Sequence, residues 1–219
     1  MKLFLDTAHI PHIKEAVDWG VLDGVTTNPS LIQKEGRPFD DIVGEICSLV
    51  EGPVNLEVVS EEHRGMVTEG RQLAALHKNV VVKVPMTPDG LKAVRTLKKD
   101  DIRTNVTLVF GPNQALLAAK AGAYIVSPFI GRLDDAGHNG MDLIRQIVTI
   151  YRNYGFETNL LVASVRHPVH VVESALAGAQ ICTVPYTVLV KMFKHSLTDV
   201  GLRAFLEDWK KVPEDMRPF

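Results

Sequence analysis

Eight short apolar runs, each followed by an amphipathic stretch, constrain this chain more than any other feature. The runs are Leu3–Asp6, Val21–Thr26, Val54–Val59, Val80–Val84, Arg103–Val109, Tyr124–Phe129, Asn159–Ser164 and Gln180–Val184. They read as near-continuous apolar segments rather than alternating ones, as strands do when both faces are covered. Val80, Val81 and Val82 are all β-branched, which favours strand over helix. Between the runs the apolar residues recur at helical spacing, as in Ile10, Ile13, Ala16 and Val17, or Ile42, Ile46, Leu49 and Val50. Helices are expected over 40–50, 62–76, 88–99, 114–121, 134–154, 168–177, 187–194 and 199–211. Thr87 and Pro88 supply an N-cap and first-turn residue, and Gly122 and Gly178 supply stops. Strand–helix alternation implies a parallel sheet. Eight units in one chain most simply close into a single (β/α)8 barrel over residues 1–219, with an extra C-terminal helix at about 199–211. The alternative is an open doubly wound sheet, but no glycine-rich phosphate fingerprint follows the first strand. No Pro/Ser/Gly-rich linker interrupts the chain, so one domain is expected.

Charge and cysteine usage narrow the class of protein. The formal net charge is −2, with no acidic or basic block, which argues against nucleic acid or an anionic membrane as the main partner. No apolar run approaches the roughly 18 residues of a membrane span, and MKLFLDT is too short in apolar residues for a signal peptide. Cys47 and Cys182 show neither metal-ligand spacing nor a disulfide framework, which fits a reducing cytoplasm. His167 and His170 lie three apart without an obvious third ligand, so no metal site is expected.

A barrel carries its functional side chains at the C-terminal strand ends. Reading those ends gives Asp6; Thr26 and Asn28; Glu57; Lys83; Asn105 and Thr107; Ser127 and Phe129; Ser164 and Arg166. Every strand but the last carries a polar group there, and a whole rim of polar groups marks a site. Lys83 stands out, because it interrupts an apolar strand. Desolvation disfavours its ammonium, and a neutral amine attacks a carbonyl to form an imine. The alternative is a lysine that snorkels to solvent. Asp6 and Glu57 are placed for proton transfer around an imine, or one of them forms a salt bridge that holds Lys83 charged. Spacing alone does not separate these. Thr26, Asn28, Asn105 and Thr107 are neutral hydrogen bonders for substrate hydroxyls or a water, although Asn28 also suits a turn and helix cap. Arg132 and Arg166 suit bidentate phosphate recognition. The competing reading pairs a surface arginine with Asp134 or Asp135, which fits Arg132 better than Arg166.

The segments LFLDTA, GVTTNPSLI, VVVKVPMTPDGL, TNVTLVF, VSPFIGRLDD and ASVRHP together resemble the transaldolase family, from Leu3 to about Trp209. The resemblance is closest to its short-chain branch, which includes fructose-6-phosphate aldolase. It implies a (β/α)8 barrel, no cofactor, and a Schiff base between Lys83 and a ketose phosphate. It further implies transfer of a dihydroxyacetone unit from sedoheptulose 7-phosphate or fructose 6-phosphate to glyceraldehyde 3-phosphate or erythrose 4-phosphate, in the non-oxidative pentose phosphate pathway. Asp6 then corresponds to the acid/base at the C–C bond, and Glu57 acts through a water held by Thr107. Asn28 and Asn105 hold dihydroxyacetone hydroxyls. Thr26, Ser127 and Ser164 line the pocket, and Arg132 and Arg166 bind phosphate. The aldolase members differ at Glu57 (glutamine), Phe129 (tyrosine) and Asn105 (an apolar residue), so the resemblance here is to the transferase type. Val165 stands where many relatives have phenylalanine. Relatives of this branch form pentamers or decamers of two pentamers, with the C-terminal helix on a neighbour. Phe205, Leu206 and Trp209 share one side of that helix and suit such docking, or else pack on the chain's own barrel.

Overall fold

The computed structural model of the protein describes residues 1–217, so the last two positions of the expected domain, 218 and 219, lie outside the described residues. Eight parallel strands close into a barrel in sequence order. They are β1 (Lys2–Asp6), β2 (Gly24–Thr26), β3 (Val54–Glu57), β4 (Val80–Pro85), β5 (Thr104–Val109), β6 (Ile125–Pro128), β7 (Asn159–Val162) and β8 (Ile181–Val184). Closure is made by β8 on β1, with Phe4 opposite Thr183. The open-sheet alternative is therefore excluded. The helices are α1 (Ile10–Asp18), α2 (Pro29–Lys34), α3 (Phe39–Leu49), α4 (His63–Leu76), α5 (Pro88–Lys99), α6 (Pro112–Ala121), α7 (Ile130–Asp135), α8 (Gly140–Tyr154), α9 (Pro168–Ala177), α10 (Tyr186–Met192) and α11 (Ser196–Lys210). None is long and apolar enough to cross a membrane among the described residues.

Strand alternation divides the chain between two cores. One face of each strand packs outward on the helices, where Leu5, Val25, Leu56, Val82, Val106, Val126 and Val162 are fully buried. The other face points into the barrel. Its lower layer is mostly apolar, built from Phe4, Val81, Ile125, Leu161 and Ile181, with Asn55 beside Val81. Two residues further along the same strands come Asp6, Lys83, Ser127, Ala163 and Thr183. A step of two keeps the side chain on the same face and moves it towards the C-terminal mouth, so the apolar plug and the polar rim belong to one periodicity.

Several boundaries differ from the sequence expectations, each for a local reason. The third strand ends at Glu57 rather than Val59, because the Glu69 carboxylate accepts the Val59 and Ser60 amides at 2.8 and 3.0 Å and removes them from the ladder. The second strand starts only at Gly24, where an added Cβ would lie 2.6 Å from the Phe4 ring. The seventh ends at Val162, two residues before Ser164 turns to a left-handed φ of 61°. The expected helix over 134–154 is two helices. Gly137 reverses the chain at φ 81°, and Asp134 Oδ1 accepts the Gly140 amide at 2.8 Å at the start of α8. The cap at Thr87 forms as expected, with Oγ1 accepting from Gly90 at 3.0 Å. Gly122 and Gly178 end their helices at left-handed φ values of 91° and 89°. Helix α11 has no buried residue, and Phe205 and Leu206 stay 73% and 61% exposed, so these two do not pack on the chain's own barrel.

Candidate active site

The C-terminal mouth of the barrel opens into a cavity of about 590 Å³. It is lined by Asp6, Thr26, Asn28, Glu57, Lys83, Thr107, Ser127, Phe129, Arg132, Ser164 and Arg166, so the sequence-derived set converges there. Asn105 is fully buried opposite Lys83 on the neighbouring strand and does not line the cavity. A second cavity of similar volume lies at the N-terminal end, around Lys98, Arg103 and Tyr124. Barrel enzymes use the former end for chemistry and the latter for stability, and the lysine–carboxylate cluster is at the former.

Lys83 occupies the middle of the site. It is 6% exposed, and its Nζ donates to Glu57 Oε2 and to the Thr27 carbonyl, each at 2.9 Å. The strand register makes this pair unavoidable, because Glu57 and Lys83 are direct neighbours on β3 and β4, with Asn105 the next neighbour on β5. The snorkelling alternative is thereby excluded, and the salt bridge is formed with Glu57. Breaking a pair so little exposed is costly, which keeps Nζ in one place.

Asp6 is held differently. Thr26 Oγ1 donates to its Oδ1 at 2.8 Å, and Thr26 Oγ1 also meets Thr183 Oγ1 at 2.6 Å. Burial pushes the Asp6 carboxyl above its ordinary value, against the Thr26 hydrogen bond and the Lys83 charge, with Glu57 adding to the upward push. A carboxyl shifted this way sits closer to the neutral range, where exchanging a proton with substrate is efficient.

The neutral groups form a second network. Ser127 Oγ donates to Asn105 Oδ1 at 2.7 Å, and Asn105 Nδ2 donates to Asn55 Oδ1 at 2.9 Å. Asn55 in turn donates to the Val25 carbonyl at 3.0 Å. Asn28 caps α2, accepting the Leu31 amide at 3.0 Å, so the helix-cap reading is correct for its oxygen. Thr107 is the exception to this satisfaction. Its Oγ1 is buried and has no hydrogen-bond partner among the described residues. A buried hydroxyl seldom goes unpaired, so one that lines a cavity marks a position for a water or a substrate oxygen. Next to it, Leu108 adopts a left-handed φ of 59°, where the β5–β6 register shifts between Val106 and Val109. Leu108 and Ser164 are two non-glycine residues in this strained region, and both border the cavity.

Arginine placement corrects one expectation. Arg166, not Arg132, pairs with Asp135, at 2.5 Å. Arg132 instead lies over the Phe129 ring, its guanidinium carbon 5.0 Å from the centroid. The reason is the turn from β6 into α7, which lays Arg132 back over the residue just before the helix. Both arginines are solvent-facing, and an exposed ion pair is weak enough to yield to a phosphate.

Sequence reasoning missed Thr183, Asn55, Ser30, Lys34 and Leu108. Thr183 lies at the inward period of the strand that was read as lacking a polar end. Asn55 sits two residues before Glu57 and was legible by the same alternation. Ser30 and Lys34 line the mouth from α2, a helix visible only in the cap signal Asn28-Pro29. Histidines 167 and 170 form no metal cluster; no group of three or more candidate ligands exists among the described residues.

The family model described as Transaldolase/Fructose-6-phosphate aldolase matches residues 3–216. A probable transaldolase of Aquifex aeolicus is 64% identical over 219 residues, covering all of both chains. One of Caldicellulosiruptor saccharolyticus is 61% identical over 215 residues, covering 98% of this chain and 99% of the other. Among solved structures, thiamine phosphate pyrophosphorylase from Pyrococcus furiosus superposes with a TM-score of 0.58 at 14% identity, covering 84% of this chain and 85% of that one, which is a likeness of fold alone. The chain belongs to the transaldolase/fructose-6-phosphate aldolase family.

Proposed function

We propose that the protein is a transaldolase that moves a dihydroxyacetone unit from a ketose phosphate to an aldose phosphate through an imine on Lys83. The observation that carries this reading is the buried Lys83 Nζ, 2.9 Å from Glu57 and facing the same cavity as Asp6 and the unpaired Thr107 hydroxyl. Transfer of a proton from Nζ to Glu57 frees the amine lone pair to attack the C2 carbonyl of sedoheptulose 7-phosphate or fructose 6-phosphate. Glu57, with a water at Thr107, relays protons as the carbinolamine loses water to the iminium. Asp6 then takes the proton of the C4 hydroxyl. The C3–C4 bond breaks, its electrons pass into the iminium to give an enamine, and the aldose phosphate leaves. The enamine carbon attacks the aldehyde of glyceraldehyde 3-phosphate or erythrose 4-phosphate, and Asp6 returns its proton to the new hydroxyl. Hydrolysis of the second iminium regenerates Lys83. Asn28, Asn105 and Ser127 hold the hydroxyls of the three-carbon unit, Thr26 and Ser164 shape its pocket, and Arg132 and Arg166 bind the phosphate.

Borohydride reduction in the presence of fructose 6-phosphate tests the mechanism. A reduced adduct mapped to Lys83 is expected; an adduct on another lysine, or none, overturns it. The fate of the enamine separates this reading from an aldolase that releases free dihydroxyacetone. Phe129 carries no hydroxyl to orient a water at the mouth. The variant Phe129→Tyr is therefore expected to raise acceptor-free dihydroxyacetone release by at least about tenfold. Rapid release by the unaltered protein without any aldose phosphate favours the aldolase.

The same reading places the enzyme in the non-oxidative pentose phosphate pathway of the cytoplasm, in keeping with its two free, buried cysteines. It also takes the enzyme to be a homo-oligomer, a pentamer or a decamer of two pentamers, which the unburied apolar side of α11 supports. Sedimentation equilibrium checks this; a monomer at micromolar concentration rejects it.

A further inference from the structure

His170 is buried on α9, outside the cavity lining, yet it touches both elements that carry the arginines. Its Nδ1 accepts the backbone N–H of Arg166 at 3.3 Å, and its Nε2 faces Asp134 Oδ2 at 3.2 Å. The first contact requires a bare Nδ1, so the proton of the neutral ring is on Nε2, the nitrogen that faces the Asp134 carboxylate. Asp134 lies on α7, between Arg132 and the Arg166 partner Asp135, and its other oxygen accepts the Gly140 amide at 2.8 Å. Ser174 Oγ donates to the His170 carbonyl at 2.6 Å. The seam between the two arginine-bearing segments is close: the Gly131 amide donates to the Ser164 carbonyl at 3.0 Å, and a Cβ on Gly131 would lie 2.1 Å from that oxygen.

We infer that His170 is a positioning residue for the sugar phosphate: one imidazole ties the Arg166 backbone to the helix of Arg132, so that both guanidiniums meet one phosphate group. The inference rests on the reading that the cavity takes a phosphorylated sugar, and it adds the residue that sets the affinity for that ester. Phosphate recognition by two arginines needs both planes fixed relative to each other, which neither exposed side chain supplies alone. Protonation reverses the device. A proton on Nδ1 turns an acceptor into a donor facing the Arg166 N–H, and the two repel. Burial holds the His170 pKa below the ordinary 6.5, and His167 and Arg166 push the same way, against Asp134 on α7 and Glu173 on α9. Affinity for the phosphate ester is therefore kept at neutral pH and lost only as pH falls through the lowered His170 value, which lies under the ordinary 6.5.

The test compares the unaltered enzyme with His170→Leu and His170→Asn. Asparagine keeps an acceptor near the Nδ1 position and does not titrate. In H170L the KM for fructose 6-phosphate is expected to rise about tenfold, with kcat within about threefold, the size of one lost positioning hydrogen bond. Labelling of Lys83 by borohydride with unphosphorylated dihydroxyacetone should be unchanged in both variants. H170N should stay within about threefold of the unaltered KM. An unchanged KM in H170L, or loss of kcat and dihydroxyacetone labelling along with it, overturns the inference. If H170L does not fold, the pH profile decides. KM for the phosphate ester should climb more steeply with falling pH in the unaltered enzyme than in H170N once pH passes through the lowered His170 value, and superimposable profiles overturn the inference. Failure of dihydroxyacetone to label Lys83 in the unaltered enzyme would instead defeat the imine mechanism itself.

Discussion

Replacing Lys83 with methionine is expected to lower the rate of dihydroxyacetone transfer by at least about 10⁴-fold, because the other lysine at the cavity, Lys34, is exposed on α2 at the mouth and lacks the buried setting and the Glu57 partner of Lys83. The loss should fall on kcat, while competitive inhibition by inorganic phosphate persists, since Arg132 and Arg166 are untouched. Borohydride should then trap no adduct. The same substitution carries a stability cost with a clear origin. Glu57, whose side chain is 18% exposed, keeps its charge but loses its partner at 2.9 Å, and the Thr27 carbonyl loses its donor. Breaking a fully buried pair costs about 3–5 kcal/mol, and partial exposure of Glu57 brings the expectation to about 2–3. For a chain of this size that is about 2–4 °C in Tm per kcal/mol. Adding Glu57→Gln to Lys83→Met removes the lone charge and should recover part of the Tm with no return of activity. Calorimetry of the two variants checks this, and a double variant less stable than the single one would show that the pair is not the source of the cost.

The second large effect is expected at Asp6. Asp6→Asn should reduce kcat by about 10²–10⁴-fold, the range of a lost general acid–base group, and should at the same time raise Tm at neutral pH. The sign follows from the direction of its shift. Burial raises the folded-state pKa of Asp6 above the unfolded value of 3.8. Ionised Asp6 therefore costs stability above its folded pKa, and that cost disappears as pH falls through the folded pKa towards 3.8. Asparagine keeps the oxygen that accepts from Thr26 at 2.8 Å and removes the charge. The stabilisation of Asp6→Asn over the unaltered chain should thus shrink as pH falls. Because imine formation precedes the step Asp6 serves, borohydride should trap the intact ketose phosphate on Lys83 of this variant rather than a three-carbon fragment. Mass spectrometry distinguishes the two, and a three-carbon adduct formed at the unaltered rate would move the acid–base role away from Asp6. A Tm that falls at pH 7 would contradict the desolvation argument.

Much of the site was legible along the chain because a barrel strand projects its inward residues with a period of two. Asp6, Lys83 and Ser127 each lie in the C-terminal half of a short strand, on the same face as an apolar residue two positions earlier, namely Phe4, Val81 and Ile125. Thr183 obeys the same rule and was overlooked, because its strand reads as a plain apolar run to Val184. Boundaries were less legible. Glu69 ends the third strand from ten residues beyond Val59 in sequence, and the gap between α7 and α8 depends on a hydrogen bond from Gly140 to Asp134. Long-range partners of this kind leave no mark on local periodicity.

The sequence by itself determined the strand count, the parallel alternation, the barrel mouth as the place of chemistry, and the lysine most out of character with its surroundings. These follow from local patterning, since burial on two faces and a step of two are properties of each segment alone. Tertiary structure decided the rest. Lys83 could have been free or paired, and only the β3–β4 register, with Glu57 opposite Lys83, makes the pair. Either arginine could have met an aspartate, and only the turn into α7 gives Asp135 to Arg166 and the Phe129 ring to Arg132. His170 looked like half of a metal motif until folding brought its two nitrogens to the Arg166 backbone and Asp134. In each case the outcome depends on the separation of groups far apart in sequence, and hydrogen bonds and ion pairs act only over a few ångströms that chain spacing does not specify.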